Sequence, residues 1–262
     1  MISIGISPYA FDGVRWYLIL AAVAVAVIVG WAWWQAKHNN QFSYRTVTIA
    51  ALVMIPSGIV FARIFHILDN LGYYSHHTSR ILSFAGLSIY GAIVGAIIGL
   101  WLYSKVGKFS FGKFTDMLTP AIIVGQAIGR VGSLITGCCH GVETNLPWGI
   151  VYTNYWSAAE NDIPFHPYPV YEIIILMIIL MVVRWLKHRL KRPGSLFAVY
   201  LAMYSVWRLA SGFLRPNNSL LFGLHEAQVI AIIMLVLTVP FLLREWCKPR
   251  IETAGNSHDK AD

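Results

Sequence analysis

Thr119–Gly137 reads TPAIIVGQAIGRVGSLITG, a run apolar enough to lie in lipid that carries an arginine, Arg130, with no acidic residue within a helical turn. An arginine at membrane depth costs about 3 kcal/mol or more unless it faces a partner or a wet cavity. Ser195–Leu214 (SLFAVYLAMYSVWRLASGFL) repeats the situation with Arg208, and Arg63 does so in a third apolar segment. Guanidiniums with no local acid suggest that the counter-charge is brought by a ligand. A lipid phosphate fits.

The chain is 57% hydrophobic and 12% charged, against roughly 25% charged for an average soluble domain. Its mean hydropathy of +0.60 agrees with a polytopic membrane protein. Val14–Gln35 is too long and Trp-rich for a signal-peptide core and lacks a small-residue cleavage site. Cys138, Cys139 and Cys247 make no disulfide framework, because adjacent cysteines rarely bridge. The net charge of +8 would suggest nucleic acid in a soluble protein; here its distribution speaks instead of topology, and no nucleic-acid partner is expected.

Seven segments can each supply the roughly 20 residues a span needs: Val14–Gln35, Thr46–Leu68, Leu82–Tyr103, Phe114–Ile135, Pro169–Leu186, Ser195–Leu214 and Ala227–Leu243. The expected fold is an all-α, seven-helix membrane domain over residues 1–250, followed by a polar cytoplasmic tail over 251–262. All eight lysines (37, 105, 108, 113, 187, 191, 248 and 260) fall in alternate loops or that tail. The positive-inside rule makes those loops cytoplasmic, so the N-terminus faces out and the C-terminus in. Arg15, Arg63, Arg80, Arg130, Arg208 and Arg215 lie in the outer half or within the spans, with no lysine among them. Arginine makes bidentate phosphate contacts that lysine cannot match. Snorkelling to outer headgroups is the competing reading for Arg15, Arg80 and Arg215. The loop 138–168, with Glu143, Glu160, Asp162 and several aromatics, is long enough to form a small extracytoplasmic cap after the fourth span.

From Gly129 to Gly141 the chain reads GRVGSLITGCCHG. Glycines there allow close backbone approach, and amides freed where a helix breaks bind anions; tight helix packing explains the glycines but not Arg130. With this run go Arg15-Trp16-Tyr17, Ser88-Ile89-Tyr90-Gly91, Asp116, Pro120, Leu146-Pro147-Trp148-Gly149, His166-Pro167, Tyr171-Glu172, Tyr204 with Arg208, Arg215-Pro216 and Gln228. In that order these pieces resemble the prolipoprotein diacylglyceryl transferase family over nearly the whole chain. The sequence departs from the family pattern at five places. Ser133 and Thr136 stand for asparagines, Cys138 and Gly212 for glutamates, and Tyr90 for the third-helix histidine.

The resemblance implies a bacterial plasma-membrane enzyme, multi-pass and acting as a monomer. Its partners would be phosphatidylglycerol, the signal peptide of a prolipoprotein and the surrounding lipids. The lipobox cysteine thiolate displaces glycerol 1-phosphate and becomes a diacylglyceryl thioether, with no metal or cofactor required. Arg130 and Arg208 would clamp the phosphate and Tyr90 would take the histidine's place as catalytic residues. Tyr17, Arg63, Ser133, Gly141, His166, Tyr171, Glu172, Tyr204 and Arg215 would line the substrate site. Glu172 also reads as a buried partner for an arginine or a loop amide. The thiol's proton could pass to Tyr90, His140 or His166. Cys138-Cys139-His140 lacks the usual zinc spacing; arginines that lower a thiol pKa would make it reactive, and the favoured reading is packing at a helix exit. The departures leave open a related transferase with the same lipid donor and another acceptor. A non-enzymatic lipid-binding or transport protein would also hold arginines in a membrane cavity, but the halves show no inverted repeat.

Overall fold

Trp16–Asn39 (α1), Tyr44–Asp69 (α2), Leu71–His76 (α3), Ile89–Val106 (α4), Phe111–Thr136 (α5), Tyr168–Leu186 (α6), Ser195–Ser211 (α7) and Glu226–Trp246 (α8) are the helices of a computed structural model. It describes residues 1–11, 13–39, 41–81, 86, 88–215 and 224–246. Seven helices, all but α3, are long and apolar enough to cross a membrane. This is a mostly helical, polytopic architecture, as the hydropathy predicts. The first helix starts at Trp16 because Val14–Arg15 belongs to a short hairpin with Tyr9–Phe11, and the third starts at Ile89, not Leu82. Leu82, the turn Pro216-Asn217-Asn218, Cys247 and the tail lie outside the described residues.

Local chemistry sets the ends. Ser43 and Ser110 cap α2 and α5, their hydroxyls accepting the amides of Thr46 (3.2 Å) and Lys113 (3.4 Å). Gly137 closes α5 with a left-handed φ of 70°. Asp116, inside α5, accepts the amides of Gly194 (2.7 Å) and Phe197 (2.9 Å) and so caps α7 from a neighbouring helix.

Lipid is as apolar as leucine, so close packing rather than water exclusion holds such helices together. Gly91, Gly95 and Gly99 form a stripe on α4, and a Cβ at Gly91 or Gly95 would run into the α2 backbone at Phe61 or Ser57. On the other side α5 is the hub, packing on α1, α6 and α7. Ile123, Leu176, Ile179, Val183 and Tyr200 are buried between α5, α6 and α7.

Beyond the end of α5 the chain makes a small sheet. Ile150–Tyr152 (β4) pairs antiparallel with Pro164–Phe165 (β5) and parallel with Ile2–Ile4 (β1), the hairpin strands being β2 and β3. Tyr152 and Phe165 are buried there, each worth about 1.5–3 kcal/mol where water is excluded. The Tyr152 hydroxyl donates to the Leu134 carbonyl at 3.0 Å, tying the sheet to the last turns of α5. The sheet places the α5–α6 loop over the ends of α5, α6 and α7.

Candidate active site

Helical spacing gathers the polar side chains on facing stripes. Gln126 and Arg130 lie four apart on α5, Tyr168 and Glu172 four apart on α6, and Tyr200, Tyr204 and Arg208 four apart on α7. They meet at Glu172, which is fully buried. Its carboxylate lies 2.9 Å from Arg130 Nε and accepts the Tyr204 hydroxyl at 2.6 Å and Gln126 Nε2 at 3.3 Å. Gln126 in turn accepts the Tyr200 hydroxyl at 2.7 Å.

Next to this network, Arg208 Nη1 donates to the Tyr168 hydroxyl at 3.0 Å, and that hydroxyl also bonds Ser211 Oγ. The Arg215 guanidinium sits 5.0 Å over the Tyr168 ring. Arg130 and Arg208 therefore share a single carboxylate, with Arg215 on the other side of Tyr168. Tyr90, in the first turn of α4, is an electrostatic neighbour of Arg208. Tyr17, near the start of α1, is a neighbour of Arg130 and of both cysteines.

Two expectations of missing counter-charge are corrected. Arg130 has its acid, Glu172, supplied from another helix rather than from its own turn. Arg63 is answered by backbone carbonyls. It donates to those of Arg80 (2.6 Å), Ile81 (3.0 Å) and Gly86 (3.0 Å) and lies over the Tyr74 ring. These bonds hold Arg80, Ile81 and Gly86 against α2.

Other predicted residues fall into different neighbourhoods. Ser133 is buried, with its hydroxyl turned back to the Gly129 carbonyl at 3.4 Å. The Gly141 amide donates to the His166 carbonyl at 3.0 Å and the Val142 amide to that of Leu214 at 2.9 Å. These bonds fasten the loop to the 3-10 turn Gly212–Leu214, just before Arg215. His166 Nδ1 lies 3.3 Å from the Tyr171 hydroxyl, which accepts Trp148 Nε1 at 2.8 Å. This is a second polar group, on the loop and apart from Glu172.

The chain matches the prolipoprotein diacylglyceryl transferase family over residues 8–244. It belongs to that family. A relative in Dehalococcoides mccartyi, named phosphatidylglycerol–prolipoprotein diacylglyceryl transferase, is 41% identical over 247 residues, covering 93% of this chain and 95% of its own. Relatives of the same name occur in Clostridioides difficile, 32% identical and covering 84% of this chain and 86% of theirs, and in Thermosynechococcus vestitus, 29% identical with 87% of each chain covered.

Within a prolipoprotein diacylglyceryl transferase frame the departures become physical. A Cβ at Gly212 would collide with the Gln228 side chain. Gln228 is buried, accepts the His225 amide at 3.0 Å and donates to the Leu209 carbonyl at 3.1 Å. A glutamine from α8 thus fills the room a residue-212 side chain would need. Thr136, like Ser133, returns its hydroxyl to its own helix, bonding the Gly132 carbonyl at 2.9 Å.

Cys138 and Cys139 are free thiols. Cys139, in a left-handed turn with φ of 62°, has its thiol pKa lowered by the Cys138 hydrogen bond and by the Arg215 and Arg130 guanidiniums. The sequence left a reactive thiol open without showing that Cys139 and these arginines meet. Because its pKa is depressed, the thiolate persists as pH falls below the ordinary thiol value of about 8.5. Alkylation of Cys139 by a maleimide is therefore expected to proceed nearly as fast at pH 6.5 as at pH 7.5, where an ordinary thiol slows about tenfold. Peptide mapping of the labelled protein reads this directly, and a tenfold drop would remove the thiolate. Cys138→Ser is expected to keep activity within a few-fold, since Cys138 packs and donates without facing the charges.

The residues that sequence reading missed are Gln126, Tyr168, Tyr200 and Ser211. For Gln126, Tyr168 and Tyr200, four-residue spacing from Arg130, Glu172 and Tyr204 was the available signal. The Trp207 indole N–H is buried with no hydrogen-bond partner among the described residues, beside the Tyr168 ring. It is a spare donor at this site.

Proposed function

We propose that this protein transfers the diacylglyceryl group of phosphatidylglycerol to the lipobox cysteine of prolipoproteins and releases glycerol 1-phosphate. The observation that carries the reading is the surplus of guanidinium over carboxylate where α5, α6 and α7 meet the loop. Glu172 and the Cys139 thiolate offset two of the three guanidinium charges, and one positive charge remains for an anion. A phosphodiester headgroup supplies one negative charge, and its departure as a monoester develops a second. Preorganised cations favour that second charge most, so they act on the transition state more than on the bound lipid.

In this reading Arg130 and Arg208 clamp the phosphate and Arg215 closes the site from the 3-10 turn. Tyr17, Ser133, Tyr204 and Gly141 line or brace the donor pocket. The acceptor peptide approaches from the His166–Tyr171 side. Tyr90, an electrostatic neighbour of Arg208, is the group placed to take the thiol's proton, and the thiolate attacks the glyceryl carbon as the C–O bond to phosphate breaks. Phosphatidylglycerol vesicles containing the purified protein and a lipobox peptide are expected to yield glycerol 1-phosphate and a peptide heavier by one diacylglyceryl group. A serine in place of the lipobox cysteine should abolish both products. Release of glycerol 1-phosphate without peptide modification would point to another acceptor. Tyr90→Phe is expected to slow turnover more than Cys138→Ser does; an unaffected Tyr90→Phe protein would pass the proton-acceptor role to His166 or His140.

The protein acts in this reading as a monomer in the bacterial plasma membrane, with residues 1–250 as one membrane domain and 138–168 as its outer cap. Lysine placement supports an external N-terminus and a cytoplasmic C-terminus. A reporter fused after Asp262 should therefore read cytoplasmic and one inserted near Asn154 external. The reverse pair would overturn the topology.

A further inference from the structure

At the opposite end of the bundle from Arg130 lies a recess of about 260 Å³. From Asp116 to Arg130 α5 rises about 21 Å at about 1.5 Å per residue, so this recess is separate from the candidate active site. Lys113, Arg184, Lys187, Lys191 and Arg192 line it. Its lining holds one carboxylate, Asp116, already engaged by the amides of Gly194 and Phe197. Lys113, Arg184, Lys187 and Lys191 make no ion pair with a carboxylate among the described residues.

Topology alone does not call for this arrangement. The positive-inside rule needs basic residues in a loop, not gathered around one concavity. Arg184 and Lys187, three residues apart at the end of α6, repel by a few tenths of a kcal/mol. Arg189, in the same stretch, lies 4.0 Å over the Trp185 ring instead. Arg192 is held at the rim, 4.1 Å over the Phe241 ring of α8. Met117, Pro120, Val183 and Leu196 give the recess apolar walls. Cations above an apolar wall match a phosphate carried on a glycerol backbone.

We propose that this recess is a second phosphate-binding site, taking the phosphate of a glycerophospholipid headgroup or a free phosphate. The test uses the full chain in phosphatidylcholine nanodiscs and reads amide hydrogen exchange across residues 187–193. Adding phosphatidic acid to the discs is expected to slow exchange there several-fold while leaving the basic loop at 37–45 nearly unchanged. Slowing by phosphatidic acid alone upholds the lipid source, and equal slowing by inorganic phosphate upholds the soluble one. The response should disappear in Lys187→Gln/Lys191→Gln and in the single change Lys113→Gln on the facing helix. Retained transfer activity shows that these variants are folded. No slowing with either probe overturns the site. So does equal slowing at 37–45, which would reflect general surface attraction, or a response that survives both sets of substitutions.

Discussion

Arg130→Lys and Arg208→Lys proteins are each expected to insert and fold yet turn over about 10²–10³-fold more slowly, the usual effect of removing one preorganised charge donor. Charge is kept in both, so the loss isolates geometry. Arg130 pairs its Nε with Glu172 at 2.9 Å, and its five-donor fork has capacity for a second partner. Lysine has a single ammonium, which Glu172 would capture. Arg208 holds the Tyr168 hydroxyl through Nη1 and leaves the rest of its fork for phosphate; lysine cannot do both. Release of glycerol 1-phosphate in phosphatidylglycerol vesicles measures the effect, with kcat falling more than KM rises. Arg80→Lys is the comparison. Its backbone carbonyl, which receives Arg63, survives the substitution, so activity should stay near normal. Near-normal turnover in both Arg130→Lys and Arg208→Lys would remove the clamp.

Glu172→Ala is expected to be the most destabilising single change at the site, by about 3–5 kcal/mol, because it strands a largely buried guanidinium. It also leaves the Tyr204 hydroxyl and the Gln126 amide without their acceptor. Glu172→Gln keeps an acceptor for Tyr204 and should cost clearly less. If the penalty comes from the stranded charge, Arg130→Met added to Glu172→Ala should recover part of the lost thermal stability in detergent. An additive double variant would show instead that Glu172 matters for packing alone.

Hydropathy made the spans legible because lipid allows no interruption of a helix that long. Arg130 and Arg208 were legible for the same reason, being cations where only apolar residues are free of cost. The partners were harder. Glu172 stood out as an acid in a span, but Gln126, Tyr168 and Tyr200 resemble ordinary helix-surface or interfacial residues until their four-residue spacing is set beside that of the charged positions. At Arg63 charge counting could not see the carbonyl oxygens of Arg80, Ile81 and Gly86 that accept its N–H groups. The Gly212–Gln228 exchange was equally hidden. Nothing in either residue tells that one fills the other's space across two helices.

The pairing of Ile2–Ile4 with Ile150–Tyr152 has a consequence for biogenesis. Ile2–Ile4 must wait for a strand synthesised well over a hundred residues later, and closing such a loop costs about 4 kcal/mol of chain entropy. The β4 segment is tied through Tyr152 to the end of α5, beside Arg130, so the site reaches its final shape only when this late closure occurs. Nascent chains halted before the sixth helix would hold every arginine of the first four spans in place and still be inert. Activity in this protein would then wait on that closure and on the helices that bring Glu172 and Arg208, rather than accumulating helix by helix.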